Sequence, residues 1–209
     1  AHNEEGNIAR TLKYIINQKE VNLKKVIVIC DGCNDQTAKA ANSIKSKLIT
    51  IINDGQHLGK PSRINQVFEL AKTSTVVIID ADIIIRSKKT LAKLLKPLAE
   101  DREVDLVYGT AQPVRPVNFI QKVVFKGYRI WDKLRRASPD AQMYLSEGTI
   151  RAFRQKLYQK IKFPAASADD VYSYLYSVKY GHKIAFTKEA VVNYILPATY
   201  KDYRSQILR

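Results

Sequence analysis

The 209-residue sequence predicts an α/β fold, a doubly wound and mainly parallel sheet flanked by helices, with a smaller helical and strand region in its second half. Three observations predict it. Helical-period segments alternate with short apolar runs as far as residue 108. The runs are continuous and β-branched, as expected of strands covered on both faces. Acidic residues follow two of them directly, at the carboxyl ends where open α/β sheets bind ligands.

Ile8, Leu12, Ile15 and Ile16 repeat at helical spacing and predict a helix over roughly residues 4–18. Lys25-Val-Ile-Val-Ile-Cys30 reads as a strand, followed by a helix over about 36–46. Leu48-Ile-Thr-Ile-Ile52 is the next strand. A helix then runs from about Pro61 to Ala71, since proline suits a first turn, where a missing N–H loses no bond. Thr75-Val-Val-Ile-Ile79 is a strand, a helix covers about 88–99, and Val104-Asp-Leu-Val-Tyr108 closes this half.

Residues 111–118 hold Pro113 and Pro116 and read as a crossing loop. A long amphipathic helix starts at Phe119. Lys122, Lys126, Arg129, Lys133 and Arg136 share one of its faces; Ile120, Val123, Val124, Trp131 and Leu134 fall mainly on the other. Such a helix is either a solvated surface element or one that lies on an acidic membrane surface or lines a binding groove. Helical patterns over about 151–160 and 169–179, then a strand pair at 183–187 and 190–194, complete the chain. Residues 1–209 therefore read as one domain with halves at 1–110 and 111–209, too short for two full domains.

A net charge of +15, from 35 basic and 20 acidic residues, favours anionic partners: nucleotide diphosphates, acidic headgroups or nucleic acid. The basic residues are dispersed, and no helix-turn-helix, RNA-recognition or zinc pattern accompanies them, which counts against a nucleic-acid module. Two cysteines exclude a disulfide scaffold. No apolar run approaches the length of a membrane span. The helical patterns run close to both ends, so the sequence is expected to be an excerpt of a longer polypeptide.

The chemistry-bearing segments lie at the element ends. Asp80-Ala81-Asp82 follows the strand at 75–79. Carboxylates two apart on an extended segment address one centre, and hard oxygen ligands suit Mg²⁺ or Mn²⁺ completed by substrate phosphates; the plainer reading is an acidic loop. Cys30-Asp31-Gly32-Cys33-Asn34-Asp35 joins a strand to a helix. Asp31 and Asp35 can accept hydrogen bonds from a base or ribose, or Asp35 can cap the helix. The Cys-x-x-Cys spacing also suits a thioredoxin-like site, but a redox fold leaves the later acidic motifs unexplained.

Gly59-Lys60 opens the next helix without Walker spacing, and Lys60 and Arg63 could reach a diphosphate. Ser146-Glu147-Gly148 before Arg151-Ala-Phe153-Arg154 reads as a turn that forms a pocket wall. Asp169-Asp170 starts a helix; the pair either favours the helix dipole or supplies a proton acceptor.

In order, Asn3-Glu4, Asp31-Gly32-x-x-Asp35, Gly59-Lys60, Asp80-x-Asp82, Gly148…Phe153-Arg154, Asp169-Asp170 and Gln206-x-x-Arg209 resemble family 2 glycosyltransferases of the GT-A fold. The tail is similar to the branch of cellulose, chitin and hyaluronan synthases. The resemblance implies that Asn3, Glu4 and Asp31 line a nucleoside pocket, Asp35 supports that loop, and Lys60 contacts the base or diphosphate. It further implies that Asp80 holds the sugar-nucleotide, Asp82 ligates Mg²⁺ or Mn²⁺ with Asp80 beside it, and Asp170 is the catalytic base with Asp169 where the family has Glu. Gln206 and Arg209 would close over the donor diphosphate; the Trp that follows in the family is absent here. The implied reaction is an inverting, metal-dependent transfer from a nucleotide-diphosphate sugar, UDP by family habit, to a hydroxyl of a glycan or lipid. The implied location is the cytoplasmic face of a membrane. An inactive, glycosyltransferase-like binding protein is the remaining alternative, and intact Asp80, Asp82 and Asp170 argue against it.

Overall fold

The computed structural model describes residues 1–165 and 167–207, with side chains as far as Arg204. Helix α1 (Ile8–Ile16) turns Ile8, Thr11, Leu12 and Ile15 inward at spacings of three and four, as one apolar stripe must. Strands β1 (Val26–Ile29) and β2 (Ile49–Ile52) pair in parallel, Val26 opposite Ile49, with α2 (Thr37–Asn42) in the crossover. Helix α3 (Lys60–Leu70) carries Pro61 in its first turn, behind a Gly59 at φ 82° that lets the chain enter from below.

Strand β3 (Thr75–Ile79) and helix α4 (Thr90–Glu100) follow, then β4 (Val104–Pro113). The long α5 (Phe119–Ala137) and the short α6 (Ala141–Tyr144) precede β5 (Ile150–Arg154) and α7 (Gln155–Tyr158). Helix α8 (Asp169–Lys179), strand β6 (Lys183–Tyr194) and helix α9 (Tyr200–Ile207) end the chain. The second sheet runs in the order β3-β5-β4-β6, so strands from both halves of the sequence share it. Helices cover both faces. Leu91, Leu94 and Leu98 of α4 pack with Val107 and Ile150 on one side; Ile64 and Phe68 of α3 pack with Leu106, Tyr108 and Phe153 on the other.

The fold class is the expected one, but the sheet is mixed rather than mainly parallel. Strand β5 is antiparallel to both β3 and β4, with Ile79 opposite Ile150 and Leu106 opposite Phe153. The helix expected over 151–160 is this strand plus the single turn of α7. Ile150, Arg151, Ala152 and Phe153 are all buried, because β5 is an inner strand covered on both faces and so lacks a period of two. The strand pair expected at 183–194 is one strand parallel to β4, which buckles: Tyr108 faces Phe186, but Thr110 already faces Val191. Gly109 sits at the buckle, where a Cβ would meet the Ala190 carbonyl at 2.9 Å and Ile150 at 2.6 Å. Strand β4 also runs on to Pro113, into the expected crossing loop.

Candidate active site

Four chain segments meet at the carboxyl end of β3. Asp80 leaves that strand with its N–H on the Thr149 carbonyl (3.1 Å). Lys60, first residue of α3, lays its ammonium 2.7 Å from Asp80 Oδ1 and 3.5 Å from Asp169 Oδ2. Asp169 and Asp170 open α8, and Gly148 lies between them and Lys60. A Cβ on Gly148 would stand 3.2 Å from the Asp170 Cβ and 3.4 Å from Lys60 Nζ, so the loop before β5 passes this close only because it carries no side chain there. The segments expected to contribute Lys60, Asp80, Asp169 and Asp170 are thus one cluster.

Arg151, fully buried on β5, holds the cluster from behind. Its guanidinium is ion-paired with Asp169 Oδ2 and donates to the Asp169 carbonyl (2.8 Å) and to Ser173 Oγ (2.9 Å). Tyr108 of β4 donates to the Asp170 carbonyl (2.9 Å) and shares a hydrogen bond with Ser173 Oγ (2.8 Å). The first turn of α8 is therefore fixed from the sheet. The two aspartates are not equivalent: Asp169 is buried and taken up by Arg151 and Lys60, whereas Asp170 is half-buried, with Oδ1 accepting the Val171 N–H (2.8 Å). Arg151, Tyr108 and Ser173 are positioning residues that sequence reasoning did not assign. The one signal was an arginine inside an apolar run, Ile150-Arg-Ala-Phe153.

Asp82 is exposed on the turn after Asp80 and makes no hydrogen bond among the described residues. Its charge helps to raise both Asp80 and Glu4. Burial raises the Asp80 pKa; Lys60 opposes the rise, and Asp82 and Asp169 add to it. Burial would lower the Lys60 amine, yet Asp80 and Asp169 hold it above its usual value, so the ammonium is kept charged. Glu4 is raised by burial, against a 2.8 Å hydrogen bond from Asn7 and with help from Asp82. An all-oxygen pair such as Asp80 and Asp82 fits Mg²⁺ or Mn²⁺. Among the described residues no group of three or more His, Cys, Asp or Glu is arranged to hold a metal ion.

Asp31 is engaged by its own chain. Its carboxylate accepts the N–H groups of Leu58 (2.8 Å) and Gly59 (3.0 Å) and the Arg63 Nε–H (2.8 Å), with His57 Nδ1 at 3.1 Å. Burial would raise its pKa, but Arg63 and the two N–H groups hold it lower. Asp31 thus fastens the loop that delivers Lys60. Gly32, at φ 63°, passes so close to this loop that a Cβ would meet His57 Cβ at 2.7 Å. Arg63 is spent on this clasp: its guanidinium also grips Asp54 (2.7 Å) and is buried, so it does not reach toward the Lys60 cluster.

Asp35 accepts the Thr37 N–H (2.9 Å) at the start of α2 and the Glu5 N–H (3.1 Å), while Thr37 Oγ1 accepts from the Glu4 N–H (2.7 Å). Asn3, at φ 55°, accepts the Asn34 N–H (2.8 Å). Asn3, Glu4 and Asp35 therefore belong to one hydrogen-bonded network between residues 3–5 and 34–37. Cys30 is a buried thiol pushed up to about 11 by burial and by Cys33, the state of a packed side chain rather than a nucleophile. Arg154 forms no pocket wall; it donates to the carbonyls of Leu98 (2.6 Å), Asp101 (3.1 Å) and Val104 (2.7 Å) behind the sheet. The Gln206 side chain and Arg209 lie outside the described residues.

Glycosyl transferase family 2 matches residues 1–162. A 4,4'-diaponeurosporenoate glycosyltransferase of Staphylococcus aureus (strain USA300) is 33% identical over 97 residues, 46% of this chain and 25% of the relative. The match thus spans a quarter of that relative's length. A mannosyltransferase from Pyrobaculum calidifontis, solved with GDP-Man and Mn²⁺, superposes with a TM-score of 0.75 at 21% identity, covering 100% of this chain and 62% of its own. Glucosyl-3-phosphoglycerate synthase from Mycobacterium tuberculosis, solved with Mn²⁺, UDP-glucose and phosphoglyceric acid, gives 0.71 at 16% identity, covering 97% and 71%. At these identities the superpositions establish a shared fold.

Proposed function

The chain belongs to glycosyl transferase family 2, and on that premise we propose an inverting, metal-dependent transfer of a sugar from a nucleotide diphosphate, UDP first among candidates, to a hydroxyl of a glycan or lipid acceptor. The observation that carries this reading is the Lys60 ammonium held between Asp80 and Asp169, with Asp170 against Gly148 beside it. Donor and base functions are thereby within one cleft.

Asp82 and Asp80 would hold Mg²⁺ or Mn²⁺, which supplies Lewis-acid neutralisation of the departing diphosphate. Lys60 adds a fixed positive charge to the same leaving group. Asn3, Glu4 and Asp35 form the rim that receives the nucleoside, with Asp31 holding the Leu58–Lys60 turn in place. Asp170 takes the proton of the acceptor hydroxyl as that oxygen attacks the anomeric carbon. Arg151 holds Asp169 in place by its ion pair, leaving Asp170 as the open carboxylate. Gln206 and Arg209 are assigned to closure over the diphosphate, and the reaction to the cytoplasmic face of a membrane. One relative is a 4,4'-diaponeurosporenoate glycosyltransferase and one solved neighbour is bound to phosphoglyceric acid, which makes an acceptor carrying an anionic group a class to include in the assay.

The test is thermal unfolding against a panel of nucleotide sugars with and without Mn²⁺. A bound donor raises the melting temperature according to occupancy and affinity. Stabilisation is expected from one nucleotide class, only with Mn²⁺, and lost in Asp82→Ala. Equal nucleotide stabilisation of that variant would remove Asp82 from the metal site.

A further inference from the structure

We propose that α5 is the surface by which this protein docks on an anionic lipid bilayer. The most buried residues of this helix are polar, while several of its large apolar residues are exposed. Among its described residues the buried ones are Gln121 and Arg135. Gln121 accepts the Val117 N–H (2.9 Å) and donates to the Leu196 carbonyl (2.9 Å). Arg135 donates to Asp132 (2.7 and 2.9 Å), to the Tyr144 carbonyl (3.2 Å) and to Glu147. On the other side Phe119 is 76% exposed, Val123 52%, Ile130 62% and Leu134 60%. Spacings of four, seven and four put these on a single stripe, along a helix about 28 Å long. Rotating the stripe inward would break every bond of Gln121 and Arg135, so the outward apolar face is fixed by the inward polar one.

The charges beside the stripe select its occupant. Lys122, Lys126, Arg129 and Lys133, all exposed, run along one edge at spacings of four, three and four. A second copy of the chain would bring these cations against each other, and lysine is depleted from the cores of protein interfaces. An anionic headgroup layer suits them, with lysine stems along the apolar surface and ammonium groups at the phosphates. The opposite edge holds Trp131, half-exposed and edge-on to Tyr144 at 5.8 Å, an aromatic pair of the kind that settles at headgroup depth. At the helix start a groove of about 280 Å³, lined by Pro116, Phe119, Val123 and Phe125, is rimmed by Lys122 and Lys126. That is an apolar slot beside two cations, matching an acyl chain below a phosphate. An amphipathic helix with a basic edge and an aromatic edge lies in the plane of the headgroups.

Docking by α5 orients the cleft. Glu147 accepts from Arg135 on α5 and from the Ala111 N–H (3.1 Å), one residue before the Gly148 that touches Asp170. The proposal is independent of the transfer chemistry.

Trp131 is the only tryptophan of the chain, so its emission reports on α5 alone. The full chain is titrated with phosphatidylcholine vesicles with and without phosphatidylglycerol, read by sedimentation and by tryptophan fluorescence. Sedimentation with the anionic vesicles and a blue shift of Trp131 are expected, both reduced by added salt. Lys122→Glu/Lys126→Glu/Lys133→Glu should weaken binding by about tenfold or more. Phe119→Ser/Ile130→Ser/Leu134→Ser should abolish the blue shift. All six positions are exposed, and an unchanged thermal unfolding midpoint and far-ultraviolet circular dichroism show that each variant is folded. Absence of wild-type binding, sedimentation without a Trp131 shift, or an apolar variant that binds normally would each overturn the proposal. Stripe-dependent dimerisation without vesicle binding would assign the face to a second copy instead.

Discussion

Replacing Arg151 by Met tests whether the first turn of α8 is fixed from the sheet. Arg151 has no exposed surface, and its ion-pair partner Asp169 is itself buried. Removing one member of a buried pair leaves the other uncompensated, a loss of about 3–5 kcal/mol. Lys60 remains 3.5 Å away and offsets part of this, which favours the lower end. For a chain of this size each kcal/mol shifts the midpoint by roughly 2–4 °C, so Arg151→Met should unfold about 6–12 °C lower. Arg151→Met/Asp169→Leu removes both charges, and an apolar replacement of a buried pair is often neutral. The double variant should therefore recover most of the loss, less about 1 kcal/mol for the Ser173 and carbonyl bonds that Arg151 also made. Both variants should lose turnover, because the turn that carries Asp170 keeps its Tyr108 bond but loses the Arg151 bonds to Asp169 and Ser173. Paired thermal melts and a double-mutant cycle from urea unfolding decide the matter. A single variant that costs under about 1 kcal/mol, or strictly additive losses in the double, would show that the pair is not coupled.

Three further outcomes are expected. Asp170→Asn should lower turnover about a hundredfold or more at unchanged donor affinity, and steady-state kinetics with nucleotide titration will reveal a different base if turnover survives. Gly148→Ala places a methyl 3.2 Å from the Asp170 Cβ and 3.4 Å from Lys60 Nζ, so turnover should fall while the melting temperature changes little; a fully active variant would mean the loop is not in contact. The acid limb of stability should depend on Arg63. Asp54 is held down to about 2 by Arg63, and Asp31 is held below 3.8 against its burial. Carboxylates depressed in the folded state contribute stability above their ordinary pKa and lose it as the pH falls through the folded value. Wild type should lose this contribution between about pH 4 and 2, and Arg63→Met should flatten that window; identical acid slopes in the two proteins would refute the clasp.

The sequence made periodic elements legible and buried ones less so. The expected strand at 75–79 and the expected helix at 169–179 coincide with β3 and α8. Each is a short pattern with a charged boundary, Asp80 after one and Asp169-Asp170 before the other. Strand β5 was unreadable for a physical reason: inner strands do not alternate, and Arg151 disguises a core position whose charge is matched only by a residue 18 positions away. At the site, motif order brought Lys60, Asp80, Asp169 and Asp170 together, but order says nothing of where a carboxylate points. Asp31 turns to Leu58, Gly59 and Arg63, which are distant in sequence, and Asp35 turns to Thr37 and Glu5. The long helix showed its charge pattern in the sequence. Which face it buries was set by Arg135 and Gln121, and those bonds are tertiary.

Charge at the cleft also orders the proposed binding events. Four carboxylates, Asp80, Asp82, Asp169 and Asp170, lie around two cations, Lys60 and Arg151. The local balance is two negative charges inside a chain of net charge +15. The surrounding positive field draws a nucleotide diphosphate toward the protein, whereas the cleft itself repels it. A divalent cation carries the charge that removes this repulsion, so metal and donor should bind with mutual enhancement. Linkage requires the enhancement to be reciprocal. Nucleotide should therefore tighten Mn²⁺ by the same factor by which Mn²⁺ tightens nucleotide. Lys60→Met makes the cleft more negative by one charge and should enlarge that factor, as calorimetric titration of each ligand in the presence of the other would measure. A coupling that shrinks in Lys60→Met would mean that Lys60 acts mainly on the diphosphate and not on the balance of the cleft.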